Sequence, residues 1–506
     1  MAIVVSPTIS LMVDQVQKLS EKGISCTYLG SAQHNKEIEE QILRGESDIK
    51  LLFITPEWLY SSNKLDCIRE LAVHNKLSLI AIDEAHLIFD WQTFRDKYRR
   101  LENIKNDLPT VPVMALTATA NPNVLMKLKS FLHDPYISQS SVNRPNIYYR
   151  AEKLPPKGKQ TELNRGDYSI FAQKTRDLIQ HECAIVYTDF VSDVGPILCA
   201  LRSVGLECVG YYGEMNTEDC QAAQEKWMQN KAQVIVATKA FGLGIDKPNI
   251  RHVIRNGVPE NISAWVQESG RAGRDGNPAT ATIFYEESDT DHAGAWIKDC
   301  VRNPSVRDEI LRNFGESWKF VYAGLAGYCR RRIITQDFGE PDANSVGMNG
   351  LCCDVCTELQ SKEPTNCLTE FKVAFDAIKQ IGNKGESKLT EWIRGNTRPW
   401  MKNFNKSSTS FANSCGRSEG WWRSFFHKCH AIGVLERKLC NLAKSNQHYA
   451  IMAVYTTTWK GQKVVNDNEP VMLLDCVEDV VRHRRQWTLV QIQKFALKTD
   501  VLKVVV

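Results

Sequence analysis

The feature that most constrains the fold of this 506-residue chain is an alternation of short apolar runs with helical stretches. Such runs predict buried strands, and strands that alternate with helices predict a parallel sheet covered on both faces. The predicted strands are Ile3–Val5, Leu51–Ile54, Leu79–Ile82 and Val113–Leu116, then Ala184–Tyr187, Cys208–Tyr212, Val234–Ala237 and His252–Ile254. Because the pattern occurs twice, the sequence predicts two α/β units in series.

Composition narrows the class of protein. No apolar run approaches the roughly 18 residues that a membrane helix needs. The first residues include Pro7, Asp14 and Gln15 and have no basic segment, so they do not resemble a signal peptide. We therefore expect an intracellular chain with reduced thiols and no membrane contact. A net charge of +4 is too small to indicate nucleic-acid binding on its own.

A short acidic motif follows one predicted strand. In "LSLIAIDEAHLI" (77–88), Asp83, Glu84 and His86 stand at the strand's carboxyl end, where ligands bind in open α/β sheets. An aspartate there can hold Mg²⁺ in a nucleotide hydrolase, and a neighbouring glutamate can orient and deprotonate water. Taken alone, the motif is equally compatible with a solvated loop whose charges are incidental.

Two further motifs also follow predicted strands. "VPVMALTATA" (111–120) ends in Thr117-Ala118-Thr119, whose hydroxyls could relay between a nucleotide site and a bound strand, or simply form a turn. "VIVATKAFGLGID" (234–246) carries Gly242 and Gly244, whose backbone can approach a ligand closely, and then Asp246. Each of these two signals is weak by itself.

A glycine-rich arginine motif, "WVQESGRAGRDG" (265–276), comes next. Arg271 and Arg274 are three residues apart, so on a helix they would share a face. Their guanidinium groups could stabilise the charge of phosphoryl transfer as an arginine finger does, whereas a solvated basic face is the ordinary alternative. The nearby Gln267 and the surrounding glycines favour a function, because glycine is costly in a merely solvated helix.

In this order the motifs resemble the motor of superfamily 2 helicases, specifically the RecQ family. "VVSPTISLMVDQV" resembles motif Ia of that family, "DEAH" motif II, "LTATA" motif III, "FGLGID" motif V and "QESGRAGRDG" motif VI. The resemblance covers about residues 1–475, and "LGSAQ" and "CCDVC" bring it near the Werner-like branch.

The resemblance implies an ATP-dependent 3′–5′ DNA helicase that requires ATP and Mg²⁺. The residues it assigns to catalysis are Asp83, Glu84, His86, Gln267, Arg271 and Arg274. Those it assigns to ATP binding are Asp83, Glu84, Gly244, Asp246, Arg271 and Arg274. Those it assigns to DNA are Ser6, Pro7, Trp91, Phe94 and Tyr449. DNA junctions are the expected partner, and the nucleus is the expected location.

Four of the 16 cysteines crowd together as Cys329, Cys352, Cys353 and Cys356. In a reducing compartment four clustered thiols fit a tetrahedral Zn²⁺ site, and a closed Cys₄ shell indicates a structural metal. Incidental cysteines are the alternative. The RecQ family carries a four-cysteine zinc domain at this place, and zinc would tie this small subdomain to the second lobe.

The region after the cysteines predicts a winged helix. "SEGWWRSFFHKCHAIGVLER" (418–437) predicts a helix and the start of a strand, and "YAIMAVYTTTWKG" (449–461) predicts a second strand. In the RecQ family an aromatic residue at the wing tip stacks on a terminal base pair. Tyr449 is the candidate, with a core tyrosine as the alternative. The basic residues expected to contact phosphates, or else to be solvated, are Arg394, Arg398, Lys402, Lys406 and Lys444.

The sequence departs from the family in three places. It contains no phosphate-cradling G-x-x-x-x-G-K-[ST] pattern, so we expect a truncated chain with an incomplete first lobe and negligible ATPase activity. "DWQTFRDKYRRL" (90–101) keeps Trp91 and Phe94 but lacks the histidine of the family's aromatic-rich loop. "YYGEM" (211–215) stands where a histidine and a small residue are expected.

The predicted fold class is α/β, with two RecA-like parallel-sheet lobes, the first incomplete, then a helical zinc-binding subdomain and a winged-helix domain. The predicted boundaries are 1–142 and 143–295 for the lobes, 296–362 for the zinc domain, 363–475 for the winged helix and 476–506 for a tail. The favoured function is a RecQ-type helicase in DNA repair, recombination and replication. The alternative is a non-catalytic DNA-binding protein derived from such a helicase.

Overall fold

The computed structural model describes residues 1–30, 36–61, 63–89, 96–155, 167–239, 241, 246–286, 289, 304–326, 328–341, 347, 352–359, 364–382, 384–442 and 450–474. The chain divides into two compact units. The first comprises Met1–Ser140 with Gly242–Asp246, and the second comprises Ser141–Phe241 with Lys247–Val506. Both units contain a parallel sheet, as the repeated strand–helix alternation predicted.

The first unit contains a five-stranded parallel sheet in the order β2-β3-β1-β4-β5. Its strands are β1 (Ala2–Val5), β2 (Cys26–Leu29), β3 (Leu51–Ile54), β4 (Leu79–Ile82) and β5 (Val113–Ala115). β1 lies between β3 and β4 in the sheet. Ile3 and Val5 of this central strand are buried, whereas Ala2 and Val4 on its other face are half-buried.

The helices of the first unit follow the strands that they connect. They are α1 (Ile9–Glu21), α2 (Lys36–Leu43), α3 (Pro56–Leu59), α4 (Lys64–Val73), α5 (Asp96–Arg99), α6 (Ile104–Asp107) and α7 (Pro122–Leu132), with 3₁₀ turns at Ala85–Phe89 and Arg100–Asn103. Thr8, Thr55 and Asn121 cap the starts of α1, α3 and α7, where their side chains accept backbone N–H bonds.

The second unit contains a six-stranded parallel sheet in the order β6-β11-β10-β7-β9-β8. Its strands are β6 (Ile147–Lys153), β7 (Ala184–Tyr187), β8 (Cys208–Tyr211), β9 (Val234–Ala237), β10 (His252–Asn256) and β11 (Ala279–Tyr285). The helices that connect them are α8 (Ser169–Ile179), α9 (Val191–Ser203), α10 (Thr217–Met228) and α11 (Ile262–Ser269). The two sheets confirm the predicted pair of RecA-like lobes.

The described residues in the rest of the second unit form helices and two antiparallel pairs of strands. The helices are α12 (Pro304–Ala326), α13 (Arg330–Asp337), α14 (Asp354–Leu359), α15 (Leu368–Ile381), α16 (Glu386–Ile393), α17 (Glu419–Ala431) and α18 (Trp459–Asp467). The strands are β12 (Pro364–Asn366) with β15 (Met472–Leu474), and β13 (Leu435–Leu442) with β14 (Ala450–Thr457). The helix–strand–strand order of α17, β13 and β14 is the order expected from the sequence.

An aromatic core holds the carboxyl-terminal part together. Trp392, Trp422, Phe425 and Phe426 are fully buried there. Trp422, Phe425 and Phe426 come from the "WWRSFF" stretch of α17, which therefore packs its aromatic side chains into this core. Among the described helices, none is long and apolar enough to cross a membrane.

Candidate functional site

The acidic motif lies where β4 leaves the first sheet. The Asp83 backbone N–H donates to the Val5 carbonyl (2.9 Å), which extends the β1–β4 pairing by one residue. The Asp83 carbonyl accepts a 2.5 Å bond from the hydroxyl of Tyr98, a residue that is only 1% exposed. Hydrogen bonds to its backbone N–H and to its backbone carbonyl thus fix the position of Asp83. The motif alone does not reveal either bond.

The carboxylate of Asp83 accepts few hydrogen bonds from the described residues. Among the described residues only the Glu84 amide donates to it, at 3.0 Å from Oδ1. Burial raises the pKa of Asp83 because a desolvated carboxylate is penalised. A divalent cation would offset that penalty, and carboxylate oxygen is a ligand that Mg²⁺ prefers. The residues present therefore fit the Mg²⁺ that the sequence predicts.

Glu84 has an unusual backbone conformation. Its φ is +47°, in the left-handed region that non-glycine residues rarely occupy. Such conformations cost of order 1–3 kcal/mol and concentrate at functional sites. The turn carries the Glu84 side chain to within 3.3 Å of His86, measured from Oε2 to Nδ1. The acidic motif is therefore a strained turn and not a solvated loop.

His86 connects the acidic motif to the "LTATA" motif. Its Nδ1 atom lies 2.9 Å from Thr117 Oγ1, and the Thr117 and Thr119 hydroxyls are 3.4 Å apart. Burial lowers the pKa of His86 to about 4, so the ring is neutral at pH 7. The structure thus brings together His86 and the hydroxyl pair, as expected of a relay.

Ser6 and Pro7, which were expected to contact DNA, are both buried in the first unit. The Ser6 side chain is 2% exposed, and its amide donates to the Ile54 carbonyl at 2.9 Å. Because both side chains are buried, they do not offer a direct contact surface for DNA in this conformation. Both residues directly follow the carboxyl end of β1.

The arginine motif does not form the helix that its spacing suggested. Helix α11 ends at Ser269, and residues 270–277 form a turn, so Arg271 and Arg274 do not share a helix face. Arg271 is buried at 6% exposure, whereas Arg274 is exposed. The reason lies in the glycines, since Gly273 has a φ of +57° and Gly276 one of +80°.

Arg271 is the buried member of this turn. Among the described residues its Nε atom has no hydrogen-bond partner. It lies near Tyr187, where its charge opposes the burial that raises the pKa of that hydroxyl to about 12. Gln267 lies in the last turn of α11 and is partly exposed. An arginine with an unused donor fits an anionic ligand such as a phosphate group.

A buried ion network borders the same turn. Arg255, on β10, is 1% exposed and bonds the carboxylates of Glu268 and Asp189, each at 2.5 Å. Burial raises the pKa of Glu268, and Arg255 opposes that effect. Glu268 lies in the last turn of α11, just before Ser269 and the glycine-rich turn. Sequence reasoning missed this network because Arg255 and Asp189 belong to no motif.

The four predicted zinc ligands come together. The sulfur atoms of Cys329, Cys352, Cys353 and Cys356 all lie within 4.8 Å of one another. Tetrahedral zinc with Zn–S bonds of about 2.3 Å separates its sulfurs by about 3.8 Å, so this cluster has the size of a Cys₄ zinc site. Hydrogen bonds among the clustered thiols lower the pKa of Cys329 and raise the pKa values of Cys352 and Cys356.

The cysteine cluster is attached to β6 by a buried ion pair. Arg330 donates from Nε to Asp354 Oδ1 (2.6 Å) and from Nη2 to Asp354 Oδ2 (3.0 Å). Asp354, next to Cys353, also accepts a bond from the Ala151 amide of β6 at 3.2 Å. The cluster would thus be held to the second sheet by protein contacts as well as by a metal.

The other predicted site residues are less informative. Asp246 lies 3.7 Å from the Lys18 ammonium group. Arg394 and Arg398 pair with Glu419 and Glu391, whereas Lys402 and Lys406 are exposed. The candidates that lie outside the described residues are Trp91, Phe94, Gly244, Lys444 and Tyr449.

Comparison with known protein families gives two matches. The family described as "DEAD/DEAH box helicase" matches residues 1–128, and the "Helicase conserved C-terminal domain" matches residues 171–276. The first range contains the acidic motif and the second contains the arginine motif.

Comparison with curated proteins finds several DNA helicases. The chain is 31% identical over 455 residues to the ATP-dependent helicase wrn-1 of Caenorhabditis elegans, covering 86% of this chain and 42% of that protein. It is 35% identical over 367 residues to ATP-dependent DNA helicase Q-like 2 of Arabidopsis thaliana, covering 70% and 49%. It is 33% identical over 463 residues to ATP-dependent DNA helicase RecQ of Haemophilus influenzae, covering 87% and 68%.

Proposed function

Because the chain belongs to the RecQ family of helicases, we propose that it is the motor of an ATP-dependent 3′–5′ DNA helicase of the Werner type, acting in DNA repair, recombination and replication. The chain spans 42% and 49% of the first two relatives described above. The observation that carries the proposal is the strained Asp83–Glu84 turn at the end of β4, joined through His86 to Thr117.

In this proposal each acidic residue of the turn has its own role. Asp83 holds Mg²⁺, which neutralises charge on the phosphates of ATP when it is bound. Glu84 orients the attacking water and accepts its proton, because its carboxylate extends from a fixed backbone. Neutral His86 couples the conformation of this turn to Thr117 through a hydrogen bond. This bond would connect the DNA-binding elements to the catalytic residues.

Residues of the second unit have the remaining catalytic and nucleotide-binding roles in this proposal. Arg271 and Arg274 stabilise charge that develops on the transferred phosphoryl group, and Gln267 senses the nucleotide. Gly244 and Asp246 are retained as nucleotide contacts by family resemblance. The unused Nε donor of buried Arg271 supports its assignment to an anionic ligand.

The cysteine cluster binds one structural Zn²⁺ in this proposal. The support is the size of the cluster, whose four sulfur atoms lie within 4.8 Å of one another. The predicted domain boundaries, 1–142, 143–295, 296–362, 363–475 and 476–506, are retained as part of the proposal.

DNA is the proposed partner, and a junction between single and double strands is the proposed substrate. Trp91, Phe94 and Tyr449 are retained as stacking residues, because an aromatic face stacks on any base. Lys402 and Lys406 are retained as phosphate contacts, since both are exposed. A nuclear location is proposed from the eukaryotic relatives.

A second candidate is a non-catalytic DNA-binding protein derived from a helicase. It is favoured by the sequence itself, which contains no G-x-x-x-x-G-K-[ST] pattern for cradling phosphates. The loss of such groups costs on the order of 10²–10³ in rate for each donor. We therefore expect negligible DNA-stimulated ATP hydrolysis from the 506-residue chain used alone.

The experiment that separates the two candidates supplies the phosphate-binding segment. A chimera would place the segment of the Haemophilus influenzae relative that precedes the region of similarity ahead of Met1. A helicase motor predicts DNA-stimulated ATP hydrolysis that Glu84→Gln lowers by at least about 100-fold, whereas the exposed Glu102→Gln leaves it unchanged. A folded chimera that binds DNA and never hydrolyses ATP would favour the second candidate.

A further inference from the structure

A short segment that leads into β6, residues 141–147, is bonded to the glycine-rich arginine turn and to Arg331, which in turn contacts the cysteine cluster. We propose that Arg331 and Arg144 form a relay along this segment, so that metal binding at the cysteines fixes the position of the turn that carries Arg271 and Arg274. The inference rests on the proposed function for the role of that turn, but the contacts themselves lie entirely within the second unit.

The first half of the relay is Arg331, on α13. It is 1% exposed, and its Nε atom donates to the Sγ atom of Cys352 at 3.3 Å. The other bonds go to Cys352 O (3.3 Å), Ile147 O (2.6 Å), Asn143 Oδ1 (2.6 Å) and Arg144 O (2.8 Å). A guanidinium group has five N–H donors, so every donor is used.

The use of every donor makes Arg331 sensitive to the state of Cys352. Two of its five acceptors belong to that cysteine, and a bound metal would fix the Cys352 sulfur in place. Without a metal, Cys352 is free to change its position. Arg331 would then hold buried donors without acceptors, which is costly enough to drive rearrangement of residues 143–147.

The second half of the relay is the Arg144 side chain. Its Nη1 atom donates to Gly270 O (2.8 Å), and its Nη2 atom donates to Ala272 O and Gly273 O (3.0 Å each). Asn146 adds bonds from Nδ2 to Gly273 O (2.8 Å) and Asn277 O (2.9 Å). Five side-chain bonds from this segment therefore hold the carbonyl groups of the turn.

The turn fits closely against the segment that holds it. A Cβ atom on Gly273 would lie 2.5 Å from Asn146 Nδ2 and 2.7 Å from the Asn277 carbonyl. The glycine is therefore required for the close approach as well as for its positive φ. Arg144 and Arg331 are positioning residues in this account, because they act on the turn and not on the nucleotide.

The test is hydrogen–deuterium exchange of the 506-residue chain, followed in a peptide that covers residues 268–278. The variants are Arg144→Gln and Arg331→Gln, and the wild type is also measured before and after chelation of zinc. Each change should speed exchange in this peptide by about tenfold or more, because hydrogen bonds to charged groups are lost. A peptide over β7 should be unaffected.

The controls are the neighbouring Arg332→Gln, whose guanidinium lies over the ring of Tyr328, and the surface variant Arg176→Gln. Both should leave exchange in the turn unchanged. If Arg331→Gln does not fold, Arg331→Lys replaces it, because lysine keeps the charge but cannot bond five acceptors. Chelation of zinc from the wild type tests the relay without any substitution, so a variant that fails to fold cannot affect it.

Zinc content is measured first, so that failure of the metal site is seen separately from failure of the relay. Arg144→Gln should keep the wild-type zinc content and still loosen the turn. Removal of zinc without faster exchange at residues 268–278 would overturn the proposal, as would an Arg144→Gln turn that exchanges like the wild type. If the purified chain holds no zinc, metal control of the turn is overturned.

Discussion

The Nδ1 atom of His86 lies 2.9 Å from the Oγ1 atom of Thr117, although the two residues are 31 positions apart. This bond joins the acidic turn after β4 to the segment after β5. Thr117→Val removes the hydroxyl and keeps the shape, so it leaves a buried ring nitrogen without this partner. We expect the free energy of unfolding of the first unit to fall by about 1–2 kcal/mol in denaturant titrations.

The matched control for that change is Thr110→Val, because Thr110 is exposed. It should alter stability by less than about 0.5 kcal/mol. Equal effects of the two substitutions would show that the His86–Thr117 bond does not stabilise the protein.

The pH dependence of stability should also report on His86. Burial lowers its pKa to about 4, although Glu84 Oε2 lies 3.3 Å from the same nitrogen. Between pH 6.5 and pH 4, His86 is protonated in the unfolded chain but neutral in the folded chain. The free energy of unfolding therefore decreases as the pH falls through this window. The loss from pH 7 to pH 5 should be about 2 kcal/mol, and it should be missing from His86→Gln.

Zinc binding should depend on the four clustered cysteines. The wild-type chain should carry one zinc ion when its metal content is measured by mass spectrometry. Cys353→Ser should lose the zinc and lower the stability of the second unit, because a structural site needs all four thiolates. Cys199→Ser, at an exposed cysteine, should keep the zinc. If the Cys353→Ser variant kept the wild-type zinc content, the four cysteines would not form the zinc site.

The ion network at Arg255 should be important for stability. Arg255→Leu would leave the carboxylates of Glu268 and Asp189 without their buried partner, which costs about 3–5 kcal/mol in comparable cases. Arg176→Gln, which breaks an exposed ion pair, should cost less than about 1 kcal/mol. Calorimetry of both variants checks this, and a small cost at Arg255 would mean that the network is dispensable.

The strands that could be predicted from the sequence are the ones without polar residues. Leu51–Ile54, Leu79–Ile82, Ala184–Tyr187 and Val234–Ala237 were predicted to the residue, because strands buried on both faces form continuous apolar runs. β2, β6 and β11 were missed, because threonine, arginine or glutamate interrupts the apolar run in each of them. Their place in the sheet follows from tertiary packing.

The candidate site was predictable where its residues are contiguous in the chain. The motif Asp83–His86 was found in this way, and the four cysteines were found because they crowd between residues 329 and 356. Arg271 and Arg274 do not share a helix face, because the glycines after Ser269 permit a tight turn with positive φ. The run Arg330–Arg332 resembles exposed charge, and only the structure shows that Arg330 and Arg331 are buried among backbone carbonyls.

The most direct test of the central claim is strand separation by the chimera that carries the phosphate-binding segment. A RecQ-type motor should use ATP to unwind a duplex with a 3′ single-stranded tail and not one with a 5′ tail. Glu84→Gln should abolish unwinding while leaving DNA binding intact, because the Glu84 carboxylate acts on water and not on DNA. A zinc-loaded chimera that binds the 3′-tailed duplex but leaves it intact in the presence of ATP would contradict the account.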